Sequence, residues 1–240
     1  MRVAGLLLGC WAVSAIAAPA APVRVEAARA RIGAEVERRL RDAGVAHPRA
    51  MLLRIFKEER TLETWVAPAE EGPFVHLGDH SVCATSGGPG PKGRRGDGQV
   101  PEGVYRIVAL NPWSRFHLSL RVDYPNAADR ARNPGVPAAE LGGDIYIHGN
   151  CVTIGCIPIG DAAVEEVYLL AQETRAGGGE VRVLILPARP GGPRWSRIVE
   201  RGTPAEVSLW RSLEALSARL DRSHRWSPVQ IRRDGTYAAD

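Results

Sequence analysis

The apolar positions change period along the chain. Between Val25 and Gly44, Ile32, Val36 and Leu40 recur at helical spacing among Arg and Glu residues. This predicts an amphipathic N-terminal helix within residues 24–47, stopped at the glycine. From Met51 the pattern becomes strand-like. Residues 51–56 and 62–66 read as two strands joined by the charged turn 57–61, and residues 104–110 and 116–122 as two more. The last of these alternates Phe116, Leu118, Leu120 and Val122 with polar partners. Asp144 to His148 is a short strand, and the nearly all-apolar run Val181 to Leu186 predicts a central one. Asp161 is placed to cap a helix running to the glycines at 177–179. A last helix is announced by Thr203-Pro204-Ala205-Glu206, a capping box with proline at the first helical position, followed by a stripe through Val207, Trp210, Leu213, Leu216 and Leu220. No internal repeat is visible.

Composition sharpens this picture. The chain has 240 residues, 45% hydrophobic and 24% charged, which excludes wholesale disorder. With 26 glycines and 18 prolines a helical bundle is disfavoured and a β-rich α+β core with long loops is expected. A net charge of +4 is too small to argue for a nucleic-acid partner. Residues 84–103 hold seven glycines and three prolines with no apolar face, so this loop is read as either substrate-contacting or simply solvated. It lacks the Gly-Lys-Ser/Thr of a phosphate-binding loop. At the start, Met1-Arg2 followed by the uncharged run 3–18 reads as a secretory signal, too short for a stable membrane span. Leu7-Leu8-Gly9-Cys10 offers lipid anchoring at Cys10 as the lesser alternative.

Export leaves Cys83, Cys151 and Cys156, an odd number in an oxidising compartment, so one thiol should stay unpaired. Residues 144–159 concentrate the reactive groups. Period-two alternation puts Ile145 and Ile147 toward a core and Asp144, Tyr146 and His148 on the other face. His148 precedes Gly149, where the chain can turn, and Cys156 follows Gly155. A hairpin-like return would bring the imidazole to the thiol and generate an attacking thiolate. Backbone N–H groups around Gly155 and Cys156 are candidate oxyanion donors.

These residues, His148-Gly149 through Thr153-Ile154-Gly155-Cys156, resemble the catalytic motif of the L,D-transpeptidase (YkuD-type) family of peptidoglycan enzymes. The chain is most similar to the branch containing the enzyme that detaches the outer-membrane lipoprotein from peptidoglycan. Gly90-Pro91-Lys92, Gly96-Asp97, Pro101 to Tyr105, and Tyr124 to Arg130 add to the resemblance, which covers roughly residues 50–187. It implies an L,D-transpeptidase-like β-sandwich catalytic core over 48–190 with flanking helices, leaving 191–240 as a C-terminal helical extension. It further implies Cys156 as nucleophile, His148 as general base, Thr153, Gly155 and Gly149 as supporting residues, and no cofactor. The implied substrates are peptidoglycan stem peptides, with peptidoglycan-linked lipoprotein as a further candidate. Ile154 stands where most members carry a second His, and the His–Cys spacing is short.

The acidic stem peptides make Lys92, Arg94, Arg95, Arg130 and Arg132 candidate binding residues. A free nucleophile favours a Cys83–Cys151 disulfide, with Cys151–Cys156 as the competing pair. Two rival readings are kept. One is a zinc site built on His80-x2-Cys83 and His148-x2-Cys151, with Cys156 as a spare ligand. The other is a non-catalytic wall-binding module, and within the enzymatic reading hydrolysis competes with transfer.

Overall fold

The computed structural model describes residues 22–226 and 228–239; the signal stretch and Cys10 lie outside them. In chain order come α1 (Val23–Asp42), β1 (Ala50–Phe56), β2 (Thr61–Ala67), β3 (Val75–Ser81), β4 (Gly103–Asn111) and β5 (Ser119–Val122). Then follow α2 (Ala127–Arg132), α3 (Ala138–Leu141), β6 (Tyr146–His148), β7 (Ile157–Pro158), α4 (Asp161–Ala176) and β8 (Glu180–Leu186). The chain ends with α5 (Pro193–Arg201), α6 (Pro204–Ser223), β9 (Val229–Ile231) and β10 (Tyr237–Ala239).

The β-rich α+β class is as expected. Eight strands form one curled mixed sheet in the order β3-β2-β1-β8-β4-β5-β6-β7, and β9-β10 make a separate hairpin. β4 joins the two wings. Its first half pairs with β8, its second half with β5, and the register slips between Ile107 and Ala109. β8 is central, between β1 and β4. Both faces of this wing are covered, which is why β1 and β8 are apolar almost throughout. Met51, Leu53 and Ile55 join the core shared with α1 and α4, whereas Ala50, Leu52 and Phe56 join a second core with α5 and α6. Among the described residues no helix is long and apolar enough to cross a membrane.

Two local expectations change. Gly160, not Asp161, is the N-cap of α4 and makes no side-chain cap; Asp161 instead accepts the Asn150 N–H at 2.7 Å. The strand expected over 116–122 begins at Ser119, because the chain turns through a left-handed His117 (φ 68°). The C-terminal segment 191–240 contains the hairpin as well as its helices. The Thr203 capping box is present, with Thr203 and Glu206 satisfying each other's backbone N–H groups.

A buried carboxylate locks the glycine-rich loop into this frame. Glu102 is fully buried and accepts from Lys57 Nζ in the β1–β2 turn (2.8 Å), the Gly90 N–H (2.9 Å) and Trp210 Nε1 on α6 (2.6 Å). Lys57 Nζ also donates to the carbonyls of Gly90 and Val100. Nearby, Asp129 accepts from the Tyr105 hydroxyl (2.8 Å), Arg132 and the Asn126 N–H (2.9 Å), closing a second capping box at α2. Burial holds the Asp129 carboxyl above its ordinary range, and Arg132 opposes that shift.

Breaking one side of a buried pair leaves an uncompensated charge. Glu102→Gln should therefore cost about 3 kcal/mol, read as a lower urea midpoint with unchanged slope. A loss below about 0.5 kcal/mol would show that the pair does not anchor the loop.

Candidate active site

The site is built on the last two strands of the sheet. β6 and β7 run parallel, pairing Ile147 with Ile157 and His148 with Pro158. Ile147 and Ile157 point into the core. Alternation sends Tyr146 and His148 to the opposite face, and Cys156, next to Ile157, falls on that face too. The Tyr146 backbone N–H faces the Cys156 sulfur and acts to lower its pKa. The return from His148 to Cys156 is thus a tight crossover between parallel strands, not the expected hairpin. Several features permit so short a connection. Asn150 has a positive φ of 59° and Gly155 one of 135°. At Gly149 a Cβ would lie 2.5 Å from Asp161 Oδ1 and 2.9 Å from the Phe116 carbonyl, so only glycine fits.

The crossover is pinned at both ends. Cys151 forms a disulfide with Cys83 just after β3, with Cα atoms 5.5 Å apart, and Cys156 is a free thiol. This bond removes two of the thiolates that the zinc reading requires, and among the described residues no cluster of three or more His, Cys, Asp or Glu is arranged to hold a metal. Thr153 Oγ1 donates to the Cys156 carbonyl (2.8 Å) and accepts the Gly155 N–H (3.1 Å). That engages the Gly155 N–H within the turn. The Cys156 N–H remains as the backbone candidate beside the sulfur.

His148 is 1% exposed. Its Nδ1–H donates to the Gly149 carbonyl at 2.5 Å, which leaves the Nε2 lone pair to act as a base. Phe116 stacks on the ring at 4.7 Å between centroids. The sequence did not point to Phe116 as a site residue, since its alternation read as an ordinary strand position. The loop carrying it is tied down from α1 and α4. Arg24 Nη1 donates to the carbonyls of Ser114 (2.7 Å) and His117 (2.9 Å), and the buried Glu165 binds both His117 Nε2 (2.6 Å) and Arg31.

Electrostatics make the resting pair neutral. Burial holds the His148 imidazole below its ordinary value of 6.5, partly opposed by the Gly149 hydrogen bond. Burial likewise pushes the Cys156 thiol above its ordinary 9.0; the Tyr146 N–H opposes that, Asp144 adds to it and Lys92 opposes it. The thiol donates to the Asp144 carbonyl at 3.5 Å, and among the described residues no hydrogen bond joins it to the imidazole. Such a pair ionises as it attacks, not beforehand.

The five basic candidates separate. Lys92 is buried, pairs with Asp97 at 2.5 Å and donates to the Arg94 carbonyl, while Arg132 is largely buried against Asp129. Both are engaged with partners inside the protein. Asp97 also takes the N–H groups of Gly93, Arg94 and Gln99 and so shapes the loop. Gln99 in turn lies against the thiol-bearing turn: a Cβ on Gly155 would meet its carbonyl at 3.2 Å. Arg94, Arg95 and Arg130 are exposed; Arg95 bonds the Ala139 carbonyl and Arg130 the Pro125 carbonyl. Ile154 is 90% exposed at the tip of the crossover.

A thiol raised above 9.0 should react with iodoacetamide at a rate that climbs through and beyond that pH, with no plateau near neutrality. Mass spectrometry of the Cys156 peptide reads the rate. A plateau already reached at pH 7 would mean a preformed thiolate and contradict the neutral pair.

The model of the L,D-transpeptidase catalytic domain (YkuD) matches residues 46–207. The chain is 36% identical over 140 residues to "Putative L,D-transpeptidase YafK" of Escherichia coli K12, and equally to the protein of that name from strain O157:H7, covering 57% of this chain and 54% of each relative. It therefore spans about half the length of the curated relatives it matches. Among solved structures, the helical cell shape determining protein Pgp2 from Campylobacter jejuni aligns with a TM-score of 0.47 and 18% identity, over 70% of this chain and 59% of that one. Bd1075 of Bdellovibrio bacteriovorus aligns with a TM-score of 0.40 and 19% identity, over 65% of this chain and 55% of that one. With most of its length matched by the family model, the chain belongs to the L,D-transpeptidase catalytic domain family.

Proposed function

We propose that this protein is an exported cysteine acyltransferase of peptidoglycan, an L,D-transpeptidase that acts on stem peptides through a thioester at Cys156 with His148 as base. The supporting observation is the parallel β6–β7 pairing. It sets a free thiol and an imidazole with an available Nε2 on one sheet face, inside a matched catalytic domain. The Cys83–Cys151 disulfide fits an oxidising compartment outside the cytoplasm.

In this reading Sγ attacks an amide carbonyl of the stem peptide while Nε2 takes the thiol proton. The Cys156 N–H faces the developing oxyanion. As the tetrahedral species collapses, Nε2–H passes the proton to the leaving amine and the thioester remains. An acceptor amine then attacks the thioester, its proton going to Nε2, and restores the thiol. Attack by water on the same thioester would make the protein a hydrolase.

Purified protein incubated with muropeptides, with and without linked lipoprotein, should yield crosslinked products by mass spectrometry. Cys156→Ala should abolish them, and His148→Ala should lower the rate at least about 100-fold. A carbapenem should add its mass to Cys156 in the wild type only. Undiminished product from Cys156→Ala with isolated sacculi would overturn the assignment, and release without crosslinks would assign hydrolysis.

A further inference from the structure

We propose that the cavity of about 570 Å³ between the β8–α5 loop and the first turns of α5 is a binding site for a phosphate monoester carried on a small polar molecule such as a sugar. Neither Cys156 nor His148 lines it, so binding here is independent of the acyl-transfer reading.

Three guanidiniums, those of Arg189, Arg194 and Arg197, line this cavity against a single carboxylate, that of Glu59. Arg189 stacks on the Phe56 ring at 4.1 Å and donates to the buried Glu63 at 2.7 Å, which fixes its planar fork at the cavity edge. Glu63 is shared with Arg54 and so does not cancel Arg189 outright. Arg194 and Arg197 lie one turn apart on α5, and side chains at that spacing share a helix face. Glu59 is already engaged: it accepts the Arg189 N–H at 3.0 Å and faces Arg194 at 3.7 Å. Arg197 is exposed and, among the described residues, has no carboxylate partner. Its fork is free to take a ligand.

The lining chemistry selects the ligand. Positive charge is in excess by two among the lining residues. A phosphate monoester is close to doubly charged at neutral pH and offers three strong acceptor oxygens, enough for guanidiniums arriving from separate directions. A carboxylate, with one charge and two oxygens, leaves part of that excess unmatched. The volume falls within the ~300–1,000 Å³ of small-molecule pockets, so a group larger than the bare anion has room. Pro190 and Pro193 give that group a stiff wall. The wider field points the same way. Residues 189–240 hold ten arginines against six acidic residues, so this segment accounts for the whole net charge of +4. Such a field raises the local concentration of anions.

The probe is glucose 6-phosphate, titrated by calorimetry into the full chain at low salt. Glucose 6-sulfate, glucuronate, inorganic phosphate and vesicles containing phosphatidic acid are the comparison arms. The sugar phosphate is expected to saturate and to bind at least about fivefold tighter than the singly charged sulfate ester or glucuronate. Arg197→Ala should weaken it about tenfold with unchanged thermal unfolding. Arg197→Lys, which keeps the charge and loses the fork, should restore only part of that affinity. Arg211→Ala, an exposed arginine of α6 that pairs with Glu214 outside the cavity, should bind as the wild type does. Tighter binding of inorganic phosphate than of the sugar ester overturns the small-molecule ligand, as does Arg197-dependent sedimentation with the vesicles when the sugar ester fails to bind. No saturable binding, equal affinity for the three sugar acids, or wild-type affinity in Arg197→Ala overturns the site itself.

Discussion

The Glu102 carboxylate, taken wholly out of water, fixes where the glycine-rich loop can go. An ionised group in that position has to be met by donors on every side. It collects them from three distant parts of the chain: the β1–β2 turn through Lys57, the loop itself through Gly90, and α6 through Trp210. Once the loop's ends are held, the Lys92–Asp97 pair folds its middle and brings Gln99 against Gly155. The surroundings of the thiol therefore depend on a charge in another part of the molecule. Several residues that carry the family resemblance turn out to be framework: Lys92, Asp97, Glu102, Tyr105, Asn126 and Asp129 make this scaffold.

Much of the fold was legible because local signals agreed with burial. β1 and β2 stood out by their apolar runs, β8 by being apolar on both faces, and α6 by a capping box followed by a stripe. What escaped notice had weak local signals. β3 reads Val75-His76-Leu77-Gly78-Asp79-His80-Ser81, an edge strand half-exposed along much of its length, so no alternation reveals it. β7 is two residues long and exists only through its pairing with β6. α2 is a single short segment whose Asn126–Asp129 box was read as part of a family motif instead of a helix start. At the site, Cys156 and His148 were visible as residue types near glycines. Their parallel connection was not, because it depends on a disulfide to β3 and on an asparagine taking a glycine-like conformation. Phe116 was missed for the same reason: its partner His148 is 32 residues away and nothing local marks the contact.

The burial that hides the imidazole also explains its protonation. An apolar ring lies over one side of it, and its Nδ1–H donates to the neighbouring carbonyl. The burial favours the uncharged form, and the hydrogen bond to the carbonyl opposes it only in part. The thiol sits in a comparable environment, so neither partner stores charge that the other must neutralise. Reactivity then depends on how well the site stabilises charge as it develops, and less on a standing ion pair.

The stretch recognised by similarity ends at residue 207, while the indole that closes off Glu102 belongs to Trp210. A boundary drawn by sequence likeness thus runs through a single desolvated cluster. Trimming the polypeptide there would strip the indole from the buried Lys57–Glu102 pair and let solvent in. In energetic terms the tail is interior to the domain it follows in sequence.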